Sequence, residues 1–553
     1  MSRAVNQKDP QSFVQAMQNL PKVLDRLGFK SMRPGQEKVV VSVLSGFDSY
    51  VVAPTAFGKS ATYIMPTMAA NWRTMIVSPL ISLIEDQNNK LAHKWKIPSA
   101  QISSGQSAME NDRALRDWMQ GRLQFIFVSP ERLENADFKK VISHVKPDLV
   151  VLDESHCLSE WSHTFRPSYR KVGDFISDFN PRVVLTLTAT STEEIEKDVR
   201  EVLGLQHARK LFHYEPRTNL DLRSIRKPAE YRSRLVGLIE QINGPTVIYA
   251  ASIKTVEETF LELQDEPCIK GITYYHGELG APDKKANMEA FMNGNAQVCI
   301  ATNAFGMGVD RADVRGVIHI DVPGTVEACA QEQGRGGRDG KPTLCVMMYN
   351  DRSFGLQEFF IRESNPSDHD VRAVFNTLKR SADLKGRVEI TVADLAKRSG
   401  ASACQAALNT LRFFGVIENI KTQGKAFGVR IKGEPETTTQ VNYFRAIAVN
   451  CTDTGTGYLT GDLLSLAADL GVKEQTVRNN LRRMHQEGLI EFTPPFGGQP
   501  RRIIGDINQV DFDALNSRMK RAYEKLDQVR EYCLTPDKDK HDFLEKYFRD
   551  VAS

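Results

Sequence analysis

Short runs of Val, Ile and Leu that stay apolar from end to end, then stop on a polar residue, constrain this chain more than any other feature. The first half holds "SYVVAP" (49–54), "TMIVSP" (74–79), "FIFVSP" (125–130), "DLVVLDE" (148–154) and "VVLTLTAT" (183–190). The pattern returns in "PTVIYAAS" (245–252), "GITYYHGE" (271–278), "AQVCIATN" (296–303), "GVIHIDVP" (316–323) and "TLCVMMYN" (343–350). Continuous apolar runs, as opposed to alternation, mark strands covered on both faces, as in a parallel sheet between helix layers. The chain is therefore expected to be α/β, with two tandem parallel-sheet lobes joined near 205–235. Open sheets of this kind bind ligands at the carboxyl ends of their strands, where the Ser, Thr, Asp, Glu, His and Asn residues fall. A cleft between two lobes is a natural ligand site.

Beyond residue 355 the texture changes. "VEITVADLAKRSGASACQAALNTLRFFGVIENI" (388–420) and "GYLTGDLLSLAADLGVKEQTVRNNLRRMHQEGLIEFTPP" (457–495) each read helix, turn, helix, strand, with Gly400 and Gly471 closing the short helices. Both have the outline of a winged helix, and "EFTPPFGGQPRRIIG" (491–505) reads as the wing of the second. A winged helix contacts duplex phosphates through its helix and wing, which makes Arg478, Arg482, Arg483, Arg501 and Arg502 candidates. The same unit also serves to dock proteins, and that alternative stays open. "FDALNSRMKRAYEKLDQVREYC" (512–533) reads as an amphipathic helix.

Composition narrows the class. The chain has 553 residues, 25% of them charged, and a formal net charge of +3. That charge is too small to argue for nucleic acid by itself, so any basic surface must be local. No apolar run approaches the roughly 20 residues that cross a bilayer, and "MSRAVNQKDPQSF" lacks the apolar core of a secretory signal. A soluble cytoplasmic protein without a membrane partner is expected. None of the eight cysteines lies within three residues of another, so neither a disulfide framework nor a four-cysteine zinc site is readable.

Three constellations carry chemistry. "VVAPTAFGKS" (51–60) ends like a phosphate loop, with Ala53 where the general pattern has its first glycine. In such a loop Gly58 lets the backbone approach phosphate oxygens, Lys59 reaches the β- and γ-phosphates, and Ser60 holds Mg²⁺. In "VVLDESHC" (150–157), adjacent acids at the end of a buried strand are costly unless something cationic sits there. Asp153 would bind Mg²⁺, and Glu154 would orient or deprotonate the attacking water. In "QEQGRGGRDG" (331–340), Gln331, Arg335 and Arg338 fall on one short segment of the second lobe, and arginine stabilises charge on a transferring phosphoryl group. Such a site would complete itself only when the lobes close.

Together these segments resemble the RecQ family of superfamily 2 DNA helicases, over roughly residues 20–350. That resemblance implies two RecA-like lobes, use of ATP and Mg²⁺, and movement along single-stranded DNA 3′ to 5′. "LGFKSMRPGQE" (27–37) looks like the family's adenine-reading motif, with Phe29 and Arg33 enclosing the base and Gln36 bonding its edge. Thr55, Gly58, Lys59, Ser60 and Ala61 match its phosphate loop. The superfamily usually lacks the first glycine, which leaves Ala56 as the departure. Ser78, Pro79, Ser129 and Arg132 match first-lobe segments that track the DNA backbone, and "LTATST" (187–192) matches the segment linking hydrolysis to strand contact. Thr302 and Asn303 match a second-lobe counterpart. "DESHCLSEWSHTFRPSYR" (153–170) matches the acidic box and the family's aromatic-rich loop, with Ser155 and Glu160 in place of the more typical Ala and Gln. Trp161, His163 and Phe165 offer faces for stacking unpaired bases, with Arg166 beside them, a contact worth about 1–3 kcal/mol per base; an aromatic cluster packed in a core is the other reading.

The family's four-cysteine module after the second lobe is missing, so no zinc is expected. The division that follows is lobe 1 at 1–205, lobe 2 at 206–354, a winged-helix-like unit replacing the zinc module at 355–440, a winged helix at 441–508 and a helical segment at 509–553. The expected partners are single-stranded and branched or tailed duplex DNA, with proteins docking on the winged-helix units. The expected function is an ATP-dependent DNA helicase. The alternatives are a DNA-stimulated translocase that remodels protein–DNA complexes without separating strands, and a non-catalytic DNA-binding protein on a helicase scaffold.

Overall fold

The computed structural model describes residues 10–552, apart from 55–56, 80, 160–166, 190, 192, 213–215, 306–310, 421–425, 454–456 and 494–498. These residues form two compact units, one made of 1–358 with 521–553 and the other of 359–520.

In the first unit, strands β1 (Ser49–Val52), β2 (Thr74–Val77), β3 (Ser99–Ile102), β4 (Phe125–Val128), β5 (Leu149–Leu152), β6 (Val183–Thr188) and β7 (Arg209–Phe212) build a seven-stranded sheet in the order β3-β4-β2-β5-β6-β1-β7. Every pairing is parallel. The continuous apolar runs have a plain cause. Val51, Ile76, Phe127, Val151 and Leu185 enter one core with the helices Pro10–Leu27, Gln36–Leu44 and Ala61–Ala69. Their neighbours Tyr50, Met75, Ile126, Val150 and Val184 enter a second core on the opposite face. Side chains alternate across a strand, so a sheet covered on both faces needs an apolar residue at every position.

The second lobe repeats the plan with β8 (Leu220–Arg226), β9 (Thr246–Tyr249), β10 (Ile272–Tyr275), β11 (Val298–Ala301), β12 (Gly316–His319) and β13 (Thr343–Tyr349), ordered β10-β11-β9-β12-β13-β8 and parallel throughout. The change of sheet falls between Phe212 and Leu220, beyond the expected boundary at 205. β7 pairs with β1, and its mostly exposed residues hide it from an apolar-run search.

The second unit departs from the expected division at 440. Its remaining strands are β14 (Arg387–Val388), β15 (Ile417–Asn419), β16 (Ala426–Ile431), β17 (Cys451–Asp453), β18 (Leu459–Asp462), β19 (Ile490–Thr493) and β20 (Arg501–Ile503). Helices Asp368–Ser381, Val392–Ser399 and Cys404–Phe413 share a core with a sheet ordered β14-β20-β15. Helices Thr438–Asn450, Leu463–Leu470 and Glu474–Gln486 share another with β17-β18-β16-β19. β20, expected in the wing of the later module, thus pairs with β14 and β15 of the earlier one. β16, expected in the earlier module, pairs with β18 and β19 of the later one. The later module is nested inside the hairpin that β15 and β20 close. The helix read at 512–533 forms as Phe512–Leu534, and a last helix follows at Lys540–Ala552.

Candidate active site

β1 delivers the chain to a turn over 57–60 and then to the helix Ala61–Ala69. Gly58 has φ +82°, and a Cβ there would come within 2.6 Å of Gln36 Nε2, so glycine is required for conformation and for space. The buried Gln36 carboxamide holds this turn directly. Its Nε2 donates to the carbonyls of Phe57 (2.8 Å) and Gly58 (3.2 Å), and its Oε1 accepts from the Arg33 N–H (2.8 Å). Arg33 Nη1 lies 3.8 Å from where that Cβ would sit, and Phe29 is half-buried, edge-on to Trp95. Of the three residues read as base-enclosing, Arg33 and Gln36 thus stand beside the phosphate loop, while Phe29 packs on Trp95. Thr55 and Ala56 lie outside the described residues.

The Lys59 ammonium is largely enclosed and has no hydrogen-bond partner among the described residues; Glu154 Oε1 stands 3.9 Å away. A shielded cation left this way is costly, and an anionic ligand such as a phosphate would offset that cost. Glu154 adopts φ +50° and ψ +47° at the end of β5, a left-handed conformation that costs a side-chain-bearing residue about 1–2 kcal/mol. Strain of this kind concentrates at functional sites. Asp153 beside it accepts from the Glu154 N–H (3.0 Å) and from Gln87 Nε2 (3.2 Å). Tyr63 donates to Gln87 Oε1. Burial, and then the neighbouring Glu154 charge, push the Asp153 carboxyl up to about 6. Two crowded carboxylates facing one lysine suit a divalent cation that arrives with a polyphosphate. Ser60 and Asp153 would hold that Mg²⁺, which would supply charge neutralisation on the phosphates.

His156 ties the acidic strand to β6, its Nδ1 lying 2.9 Å from Thr188 Oγ1. Burial, followed by the Lys59 and Lys525 charges, pushes it down to about 3, so the ring stays neutral at physiological pH. Thr188 belongs to the "LTATST" segment, which gives that segment a direct contact with the acidic box.

The arginine segment begins on the helix Val326–Gln333, capped by Thr325 and pinned to β12 through His319 Nε2 and Glu332 (2.8 Å). Gln331 borders a pocket, partly open to solvent, that also touches Val52, Ala53, Pro54 and Ala189 of the first lobe. Arg335 is buried, its Nε without a hydrogen-bond partner among the described residues, and Arg338 is half-buried. The loop after the helix is held by two residues that sequence reasoning missed. Arg217 donates to the carbonyls of Gly336 (2.9 Å) and Gly337 (2.7 Å). Asn219 Nδ2 donates to those of Gly337 and Lys341 (both 2.9 Å). Gly337 has φ +52°, and a Cβ there would lie 2.4 Å from Asn219 Nδ2. Isolated polar residues in an interlobe segment carry no sequence signal of such a role.

Residues matched to strand tracking fall at carboxyl strand ends. Ser78 and Pro79 follow β2, Ser129 follows β4, and Thr302 and Asn303 follow β11. Ser78 Oγ is buried without a hydrogen-bond partner among the described residues. Arg132 donates to the Ser103 carbonyl (3.4 Å), and Asn303 is exposed. Trp161, His163, Phe165 and Arg166 lie outside the described residues. In the second unit, Arg482 and Arg483 are exposed on the helix Glu474–Gln486, while Arg478 pairs with Glu474 (3.1 Å). Arg502 is exposed and Arg501 is not: as part of β20 it donates to the Ile390 carbonyl (3.2 Å), which removes it from the candidate DNA contacts.

Residues 33–198 match the DEAD/DEAH box helicase family and residues 230–340 match the helicase conserved C-terminal domain. The chain is 33% identical over 418 residues to the probable ATP-dependent DNA helicase RecS of Bacillus subtilis, covering 75% of this chain and 83% of that one. It belongs to the RecQ family of ATP-dependent DNA helicases. The RecQ helicase of B. subtilis is 32% identical over 61% of this chain, and this RecQ-family chain spans 57% of that protein's length. A structure of the DUF1998 helicase MrfA bound to DNA shares the fold, with a TM-score of 0.50 and 16% identity over 84% of this chain and 66% of that one. Like its relatives, this RecQ-family enzyme couples ATP to work on DNA. Among the described residues no helix is long and apolar enough to cross a membrane.

Proposed function

We propose that this helicase hydrolyses Mg²⁺-bound ATP in the cleft between its two lobes and moves 3′ to 5′ along single-stranded DNA, separating the duplex ahead of it. The observation that carries the reading is the Lys59 ammonium, shielded and without a hydrogen-bond partner among the described residues, facing the crowded Asp153–Glu154 pair. Lys59 would meet the β- and γ-phosphates, Glu154 would orient the attacking water, and Gln331, Arg335 and Arg338 would steady charge on the γ-phosphoryl group from the second lobe. Phe29, Arg33 and Gln36 would read the adenine, which requires the Gln36 carboxamide to exchange one of its present contacts. Ser78, Ser129, Thr302 and Asn303 would face the strand, with Trp161, His163, Phe165 and Arg166 stacking and pairing beside it.

Residues 359–520 read as two nested winged helices, with Arg478, Arg482, Arg483 and Arg502 toward duplex phosphates of a tailed or branched DNA. Strand displacement on 3′-tailed and 5′-tailed duplexes, together with ATP hydrolysis with and without single-stranded DNA, tests the reading. Displacement of the 3′-tailed substrate alone, abolished by Lys59→Ala, is the expected result. DNA-stimulated hydrolysis without displacement of either substrate would overturn the unwinding step. Hydrolysis insensitive to Lys59→Ala would overturn the site.

A further inference from the structure

We propose that the C-terminal hairpin, residues 521–552, is a working part of the hydrolysis site, with Tyr532 and Lys525 as positioning residues for the arginine-bearing helix. The proposal rests on the reading that Gln331 and Arg335 serve the γ-phosphate. The hairpin belongs to the same compact unit as both lobes. It is fixed to the edge strand β8, where the Ser224 N–H donates to Asp537 (3.0 Å) and His541 Nε2 lies 2.9 Å from the Leu220 carbonyl. Its turn is stapled from inside: the fully buried Lys540 ammonium donates to the carbonyls of Tyr532 (2.7 Å) and Thr535 (2.9 Å).

From that anchorage the hairpin reaches both ends of the helix Val326–Gln333. Near its start, Lys525 Nζ lies 2.9 Å from the carboxylate of Glu327, which is 3% exposed. At its end, the Tyr532 hydroxyl lies 3.1 and 3.2 Å from Nε2 and Oε1 of Gln333, both residues being buried. Gln331 stands between these grips and Arg335 follows two residues after the second. Leu544 and Phe548, on the last helix, line the same pocket as Gln331. Apolar packing alone would attach the hairpin. Buried polar contacts add a geometric requirement, because a shift that breaks them leaves desolvated groups without partners. Phosphoryl-transfer catalysis is sensitive to such shifts, since a misplacement of about 1 Å can cost about 100-fold in rate.

The test is steady-state ATP hydrolysis by the full chain at saturating single-stranded DNA, with kcat and KM separated, for Tyr532→Phe, Lys525→Met, Lys525→Arg and Arg335→Lys. Tyr532→Phe and Lys525→Met are expected to lower kcat about tenfold while leaving KM for ATP within about twofold. Lys525→Arg is expected to retain most of the rate. Wild-type kcat in either of the first two variants, with melting unchanged, overturns the inference for that residue. A parallel fall of kcat and melting temperature that Lys525→Arg does not rescue also overturns it, because the role is then structural. If Arg335→Lys keeps full activity, the underlying reading of the arginine site fails. If Arg335→Lys is inactive while Tyr532→Phe and Lys525→Met are active, only the hairpin inference fails.

Discussion

Asp153 illustrates a site held at some expense to stability. Its folded-state pKa of about 6 stands above the ordinary 3.8, chiefly through burial. A raised carboxyl pKa favours folding below the unfolded value, and that contribution is lost as pH rises through the folded value. At pH 7.5 the ionised side chain therefore opposes folding of the nucleotide-free protein, by about 3 kcal/mol. Asp153→Asn is expected to melt higher than the parent above pH 6, to lose that advantage below pH 4, and to hydrolyse no ATP. Melting curves across that range check the prediction; equal melting temperatures at pH 8 would contradict it. Added Mg²⁺-nucleotide should stabilise the parent more than the variant, since the charge that destabilises the empty site is the charge the cation needs.

At the scale of elements, the arginine segment depends on a brace of low sequence visibility. Arg217 donates to successive carbonyls of a glycine-rich turn, and its guanidinium is held below its ordinary pKa first by burial and then by Arg338. Arg217→Ala should leave those carbonyls short of donors and reduce kcat about tenfold with little change in DNA affinity. Arg217→Lys should not restore the rate, because a single ammonium does not reproduce the planar fork. Hydrolysis assays beside DNA-binding titrations separate these effects; full rescue by lysine would show that charge alone suffices. The contrast with Lys59 and Asp153 shows what was legible. Those two sit at the ends of strands whose apolar runs are unmistakable, because both sheet faces are buried, and a strand end is where a parallel sheet presents chemistry. Arg217, Asn219 and Tyr532 act through contacts more than a hundred residues away in sequence, and no local pattern encodes such pairings. β7 and β20 escaped for related reasons: one is largely exposed, and the other completes a sheet whose partners precede it by more than 80 residues.

At the scale of the whole chain, the nested second unit makes a prediction that a division at 440 would reverse. Asn419 and Arg501 are directly paired across β15 and β20, and the Ile420 N–H still donates to the Pro500 carbonyl (3.0 Å). The two ends of the intervening segment thus meet as neighbours in an antiparallel ladder. A two-residue Asn-Gly turn suits the twist of such a hairpin. Replacing residues 421–499 by Asn-Gly removes β16 to β19 and the three helices that share their core. The sheet β14-β20-β15 and the core of Val371, Phe375, Leu395, Leu408 and Ile417 remain complete. The shortened protein is expected to fold, to melt within about 5 °C of the parent and to retain ATP hydrolysis on single-stranded DNA. Its affinity for duplex should fall, since Arg482 and Arg483 leave with the excised module. Stopping the chain at residue 440 instead removes β20, leaves β14 and β15 without the strand between them, and takes away the C-terminal hairpin as well. That protein should expose apolar core, aggregate and lose hydrolysis. Circular dichroism melts and hydrolysis rates of the two variants decide the point. A folded, active chain ending at 440, beside an unfolded Asn-Gly variant, would mean that the modules are consecutive and not nested.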